Sequence, residues 1–185
     1  MTATLLDEPS IYRSADEFAP ENGDTETLLL CAVLFAGHDT AADVVDLLET
    51  TDFHQSLHAD LFDAIAALVT AGQPHDPAMV LTQLERHGKL AGHHGRRLAY
   101  ALTTATTAGA DPTAALYYAH AIVSAAYRRS FRTAGAVITS AAETLPEHEL
   151  FEHLLTIGYA QRAATRRLDR VRARIGAAPT VGTAE

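Results

Sequence analysis

The chain has 185 residues, of which 48% are hydrophobic and 20% charged, enough for the core of one ordinary domain. Its single cysteine, Cys31, excludes an internal disulfide or a cysteine-ligated zinc site, and without an apolar run near the ~20 residues that span a bilayer we expect a cytoplasmic, non-membrane protein. Residues 1–111 carry a net charge of −12 and residues 112–185 one of +3, so contact with a phosphate backbone is expected only in the C-terminal part.

The N-terminal part divides into a leader and a helical globule. Residues 1–23 lack sustained hydrophobic periodicity and predict a flexible leader. A globular subdomain is predicted over residues 24–110. Asp24 can cap a first helix running to Phe35, and Asp39 or Thr40 can cap a second running to Glu49. Cys31 falls in an apolar run of the first helix, which indicates a buried core thiol.

Three further helices are expected in the globule. Asp52-Phe53 leads into the third, whose apolar residues share one face and which ends at Gly72. Asp76-Pro77 is a strong start for the fourth, because aspartate caps the free amides and proline loses no needed donor. The fourth helix closes at Gly88. A glycine-flanked loop containing His93 and His94 then precedes a fifth helix over residues 96–107.

Residues 111–176 predict a long antiparallel helical hairpin. Asp111-Pro112 begins one helix and Pro146 turns the chain into a second, which ends at Gly176 before a disordered tail over residues 177–185. The second helix carries a seam with alternating spacings of four and three residues. We predict that this seam forms an oligomer or partner interface, although the hairpin could instead fold back on its own globule. Its residues are Leu150, Leu154, Ile157, Gln161, Ala164, Leu168, Val171 and Ile175.

Motifs for chemistry are missing from the sequence. The only lysine, Lys89, lacks the glycines and hydroxyl of a P-loop, so nucleotide hydrolysis by this chain alone is not expected. His54 and His58 have the spacing of two ligands on one helical face, but the glutamate of a zinc-protease motif is missing between them. Capping or packing of the helix start is the preferred interpretation. We predict no catalytic residue, no metal site and no cofactor.

The last helix concentrates the positive charge. Arginine binds carboxylates or phosphates in a two-pronged geometry, so these side chains are candidates for contact with a partner or with nucleic acid. The simplest interpretation is a solvated helix face; docking to an acidic protein surface comes second, and DNA contact third. The candidates are Arg162, Arg166, Arg167 and Arg170, followed by Arg172 and Arg174.

The order of residues from about Asp24 to Ala142 resembles the N-terminal domain of DnaB-type replicative DNA helicases, and the resemblance extends less specifically over the hairpin. The resemblance is carried by Asp52-Phe53, His58, Phe62, Ala64-Ile65, Leu68, Gly72, Pro74, Asp76, Leu84, Gly88, Leu98, Tyr118-Ala119, Ile122-Val123 and Arg129. It implies an all-α fold, a compact bundle of about five helices followed by a long antiparallel helical hairpin. In that family paired hairpins build a collar on a hexameric ring, and the collar receives primase.

Three departures from the family pattern affect what can be carried over. The family's histidine-arginine pair is His58-Ala59 here, its glycine-glycine-x-x-tyrosine-leucine turn is His94-Gly95-Arg96-Arg97-Leu98-Ala99, and its asparagine before the long helix is Asp111. The RecA-like motor that follows the signature in the family is missing from these 185 residues. The resemblance therefore implies a collar domain without its ATPase.

Three functions follow as hypotheses. The first is a non-catalytic interaction module of DNA replication, a dimer or trimer of dimers through the hairpin that contacts a replicative helicase, primase or helicase loader. The second is the N-terminal fragment or subunit of an ATP-dependent replicative helicase. The third is a helical DNA-binding regulator that acts through the arginine-rich helix, although the acidic globule makes direct DNA contact weak or indirect.

Overall fold

A computed structural model describes the chain from residue 22 to residue 177. The predicted tail from residue 178 and all but the last two residues of the predicted leader lie outside the described residues. The described part holds seven α-helices and no strand, which confirms the all-α fold class. The helices are α1 (Asn22–Leu34), α2 (His38–Leu47), α3 (Ser56–Thr70), α4 (Pro77–Arg86), α5 (Gly92–Thr106), α6 (Ala115–Thr144) and α7 (Glu147–Ala177).

Local capping chemistry sets some of the helix starts and stops that the sequence predicted. The predicted caps Asp24 and Asp39 or Thr40 were wrong, because α1 begins at Asn22 and α2 begins at His38 after Gly37, which has no side chain to cap it. Asp76 caps α4 by accepting hydrogen bonds from the amides of Ala78 (2.9 Å) and Met79 (3.2 Å). Asp111 accepts from the amide of Thr113 at 2.8 Å, although it begins a short 3-10 turn before α6 rather than α6 itself. Gly72 ends α3 with a φ of 65°, as predicted for a left-handed cap.

The core of the globule forms around α1. Leu29, Leu30 and Val33 are fully buried, and α1 packs against α3, α5 and the beginning of α6. Cys31 is 2% exposed, which confirms the buried thiol. The apolar face of α3 closes the core from the other side, with Leu61 and Ile65 fully buried. A helix buried on most of its surface explains why residues 28–34 form an uninterrupted apolar run.

The prediction for the fifth helix was wrong at its beginning. The structure places residues 92–95 in the first turn of α5, where the sequence predicted a loop before residue 96. Gly95 lies there because its Cα packs directly on the backbone of the preceding turn: a Cβ at this position would meet the carbonyl carbon of Leu90 at 2.0 Å. The glycine therefore serves close packing of the backbone, not flexibility.

The long hairpin is confirmed, and its base is part of the globule. Helices α6 and α7 have 30 and 31 residues, about 45 Å each at 1.5 Å per residue. They run antiparallel: Tyr127 faces Thr165 with their hydroxyls 3.1 Å apart, and Ser130 donates to Gln161 at 3.0 Å. Beyond this point the globule no longer covers the hairpin, and Ala141 is the only buried residue between positions 131 and 160.

Candidate assembly surface and its support

The signature aspartate anchors the hairpin to the globule. Asp52 is 2% exposed and ends the 3-10 turn Thr50–Asp52, where one carboxylate oxygen accepts a hydrogen bond from the amide of Glu49 at 2.8 Å. Both carboxylate oxygens also accept from the guanidinium of Arg167 in α7, one of them at 2.6 Å. The signature residue therefore joins two segments that are 115 positions apart in the sequence.

Two arginines of the hairpin complete this junction. Arg167 also donates to the carbonyl of Leu47 at 2.9 Å and lies 3.6 Å from the carboxylate of Glu49. Its hydrogen bond to Asp52 raises the pKa of Arg167 above the ordinary value, although burial acts in the opposite direction. Arg129 of α6 donates to the backbone carbonyl of Asp52. Both hairpin helices are thus held against one turn of the globule.

The signature aromatic and histidine residues are structural. The rings of Phe53 and Phe62 pack with centroids 5.0 Å apart. His58, 7% exposed, places Nδ1 2.9 Å from the carboxylate of Glu26, which itself is 1% exposed. This confirms that His58 packs at the start of α3, as the sequence predicted. Among residues 22–177 no group of three or more histidine, cysteine or acidic side chains is arranged to hold a metal ion.

Glu26 closes the beginning of α3 from the neighbouring helix. Its carboxylate accepts hydrogen bonds from the amides of His54 (2.5 Å) and Gln55 (3.3 Å) as well as from His58. Burial alone would raise the pKa of Glu26, but these hydrogen bonds outweigh it, so the pKa lies below the ordinary value of 4.5. Sequence reasoning missed this residue, because nothing local to Glu26 indicates a partner about 30 positions away.

The arginine candidates of α7 separate into two groups. Arg167 is committed to the junction with Asp52, so its predicted role in partner or nucleic-acid contact was wrong: an ion pair inside the chain already occupies its guanidinium. Arg162, Arg166 and Arg170 are exposed, and contact through them stays a prediction. Arg174 is half-exposed and pairs with Asp43 of α2, which ties the end of α7 to the globule.

The predicted seam of α7 faces mostly inward. Leu168 and Val171 are 3% and 1% exposed and belong to the core of the globule, so placing them at a partner interface was wrong. Gln161 donates back to the carbonyl of Ser130 at 3.1 Å, which commits it to α6. The remaining seam residues, whose contact with a partner stays a prediction, are half-buried or exposed; they are Leu150, Leu154, Ile157, Ala164 and Ile175.

A different set of side chains forms the uncovered apolar surface of the hairpin. These are large hydrophobic residues at least 38% exposed, all between positions 131 and 159. We call them the distal stripe: Phe131, Val137, Ile138, Phe151, Leu154 and Tyr159. Large exposed apolar side chains concentrated on one element make it a candidate interaction surface. Of this set only Leu154 was in the predicted seam. Its other members lie off the heptad positions that the sequence analysis followed.

Among the helices of residues 22–177, none combines the length and the apolar character of a membrane span.

The paired exposed groups of the globule are ordinary surface contacts. Lys89 lies 3.0 Å from Asp63, and His94 lies 3.0 Å from Asp60, with every partner at least 40% exposed. Such pairs contribute little to stability. The distal stripe is the apolar part of the hairpin that the globule leaves uncovered, although the ring of Phe131 packs against that of Tyr127 with centroids 4.9 Å apart.

The chain is similar in sequence to known proteins. Residues 19–124 match the family model described as "DnaB-like helicase N terminal domain". A protein named replicative DNA helicase DnaB from Leifsonia xyli subsp. xyli (strain CTCB07) is 32% identical over 127 residues, which cover 69% of this chain and 27% of the relative. Its counterpart from Mycobacterium leprae (strain TN) is 33% identical over 118 residues, covering 63% of this chain and 18% of the relative.

A solved structure shows the same fold. The crystal structure of the N-terminal domain of DnaB helicase from Mycobacterium tuberculosis superimposes with a TM-score of 0.66 at 27% identity, and the match covers 75% of this chain and 95% of that one. The chain thus spans less than a third of the length of either helicase above, but nearly the whole of this isolated domain.

Proposed function

Because this chain belongs to the family of DnaB-like helicase N-terminal domains, we propose that it is a non-catalytic interaction module of DNA replication. It assembles through the distal stripe of its hairpin, first with a second copy and then with a replicative helicase, its loader or a primase. Such a role places it in the cytoplasm beside the chromosome. The family match lies in a non-catalytic domain, and the chain contains no P-loop sequence, so catalysis belongs to its partners.

The single observation that supports this proposal most strongly is the distal stripe. Two helices alone cannot cover all of their apolar surface, and between positions 131 and 160 only Ala141 is buried. The base of the same hairpin is fixed by Asp52, Arg129 and Arg167. A rigid base and an uncovered apolar tip are what a docking element requires, because little order is lost on binding.

A binding assay against candidate partners tests the proposal. The purified chain is immobilised, and replicative helicase, helicase loader and primase from the native cell are passed over it in turn. We expect at least one to bind, and binding to be lost when Phe151 is replaced by glutamate. Tyr117, on the part of α6 that belongs to the globule and 61% exposed, supplies the matched control Tyr117→Glu. Binding of none of the three, or equal loss in both variants, would contradict the proposal.

The second candidate function is a fragment or subunit of an ATP-dependent replicative helicase. It is favoured by the lengths of the relatives, of which this chain spans 27% and 18%. Reading the coding sequence downstream for a P-loop decides between the two. In both cases the hairpin is the assembly element, so the distal stripe has the same role.

The third candidate, DNA binding, now depends on Arg162, Arg166 and Arg170, which are exposed on α7. Replacing Arg166 and Arg170 by glutamate would abolish binding to duplex DNA if these side chains contact phosphates, and the slope of affinity against salt would fall by about one for each lost contact. Unchanged DNA binding in that variant would exclude this function.

A further inference from the structure

A cleft of about 520 Å³ lies on the globule between α1, the beginning of α3 and α5. Its lining includes Gln55, His58, His93, Arg96, Arg97 and Tyr100. Within residues 22–177 no aspartate or glutamate lines it, although the chain has 23 acidic residues and only 14 lysines and arginines. On a globule with a large negative charge, this cleft is a concave site that presents cationic groups.

The two arginines are available to a ligand. Arg96 and Arg97 are exposed, and neither forms an ion pair or a hydrogen bond with any residue that the structure describes. Tyr100 follows them by four and three residues, so it shares their face of α5, and its ring is 75% exposed. Two guanidinium groups and a free aromatic face therefore lie side by side in one cleft.

The cleft also contains an unused polar atom. His58 is 7% exposed, its Nδ1 is engaged by Glu26, and its Nε2 makes no hydrogen bond to a described residue. The beginning of α5, which carries His93, has no acidic residue in its first turn and no side-chain cap, whereas the beginning of α3 is already occupied by the carboxylate of Glu26. The uncapped beginning of α5 adds positive potential. Together with the two arginines it favours an anion.

We propose that this cleft binds a nucleoside di- or triphosphate. Arg96 and Arg97 hold the phosphates in two-pronged contacts, the ring of Tyr100 stacks on the base, and His58 contacts the sugar or the base edge. The volume is in the range of small-molecule sites, about 300–1,000 Å³. The segment departs from the glycine-glycine-x-x-tyrosine-leucine pattern of the family, so the family resemblance assigns nothing to these arginines.

A nucleotide fits this cleft better than an acidic peptide does. Extended peptides are bound along a sheet edge, and helical peptides in an apolar groove. The described part of the chain has no strand, and of its large aliphatic side chains only Leu57 lines the cleft. A peptide backbone would therefore find few partners, whereas phosphates, sugar and base each find a suitable group.

Isothermal titration calorimetry with the full chain tests the proposal, with ATP, GTP and inorganic tripolyphosphate as ligands. We expect dissociation constants below about 1 mM for ATP or GTP. Replacing Arg97 by alanine should weaken the binding of all three ligands about ten-fold, since a charged hydrogen bond is lost. Tyr100→Ala should weaken the binding of the nucleotides but not that of tripolyphosphate. The control Arg86→Ala removes an exposed arginine outside the cleft and should change nothing.

Three results would overturn the proposal. The first is no heat of binding for any nucleotide at about 5 mM. The second is equal weakening by Arg86→Ala and Arg97→Ala, which would indicate binding to the overall charge. The third is saturable binding of a hexaglutamate peptide that depends on Arg97 while ATP does not bind, which would assign the cleft to an acidic protein segment. The hairpin proposal does not depend on any of these outcomes.

Discussion

Asp52 connects three parts of the chain through one residue. Its carboxylate caps the turn after α2 and pairs with Arg167 of α7, while its backbone carbonyl accepts from Arg129 of α6. The carboxylate side chain is 3% exposed and that of Arg167 19%. Removing one member of a charge pair at this depth lowers the stability of the fold strongly, because the surviving partner remains buried and unpaired.

We therefore expect Asp52→Asn to lower the free energy of unfolding by about 2–4 kcal/mol. Urea denaturation followed by circular dichroism measures this directly. Asp63→Asn is the matched control, since Asp63 pairs with Lys89 at the surface, where both side chains are at least 40% exposed. Its effect should be below about 1 kcal/mol. Equal effects of the two substitutions would show that the Asp52 junction contributes no more to stability than an exposed surface pair.

The lowered pKa of Glu26 predicts that the stability of the fold depends on pH. Its pKa in the folded chain lies below 4.5 because His58 and two backbone amides stabilise the carboxylate. The unfolded chain therefore takes up the proton first as the pH falls, and the stability contributed by Glu26 is present above about pH 4.5 and lost below it. The melting temperature of the wild type should exceed that of Glu26→Gln at pH 7, and the gap should narrow towards pH 3.5. A gap that stays constant with pH would contradict this role.

At the scale of elements, residues 92–95 show what local sequence patterns cannot predict about where a helix begins. Asp76-Pro77 and Gly72 act on their own helix ends, so capping chemistry alone predicted them. Gly95 has no such local role: it is required because the backbone of Leu90 crosses at contact distance. Glycine in a sequence favours a loop on average, and only the packed structure distinguishes close approach from flexibility.

Two glycine substitutions test this distinction. Gly95→Ala should destabilise the protein by about 2 kcal/mol or more, because the new methyl group meets backbone that cannot rotate away. Gly135, inside α6, has no atom within 4 Å of the point that a Cβ would occupy. Gly135→Ala should therefore stabilise the protein by about 0.5–1 kcal/mol through helix propensity. Thermal unfolding of both variants checks the signs, and a stabilised Gly95→Ala would refute the close packing at α5.

At the scale of the molecule, the hairpin was predictable and its exposed face was not. The spacing of Leu150, Leu154 and Ile157 predicts a helix with one apolar side, and the structure has that helix. Which apolar side chains stay uncovered depends on where the globule lies. Leu168 and Val171 are covered by the globule, whereas Phe151 and Tyr159 are 65% and 69% exposed. Periodicity carries no information about contacts between distant elements.

Sedimentation equilibrium tests most directly whether the distal stripe is the assembly surface that we propose. At about 50 μM the wild-type chain should sediment with at least twice its mass of 19.8 kDa, because pairing with a second copy would cover the exposed apolar side chains of both stripes. The double variant Phe131→Glu, Phe151→Glu should sediment at 19.8 kDa with unchanged helicity, and Tyr117→Glu should behave as the wild type. A wild-type chain that remains a monomer at this concentration would contradict the assembly role of the stripe.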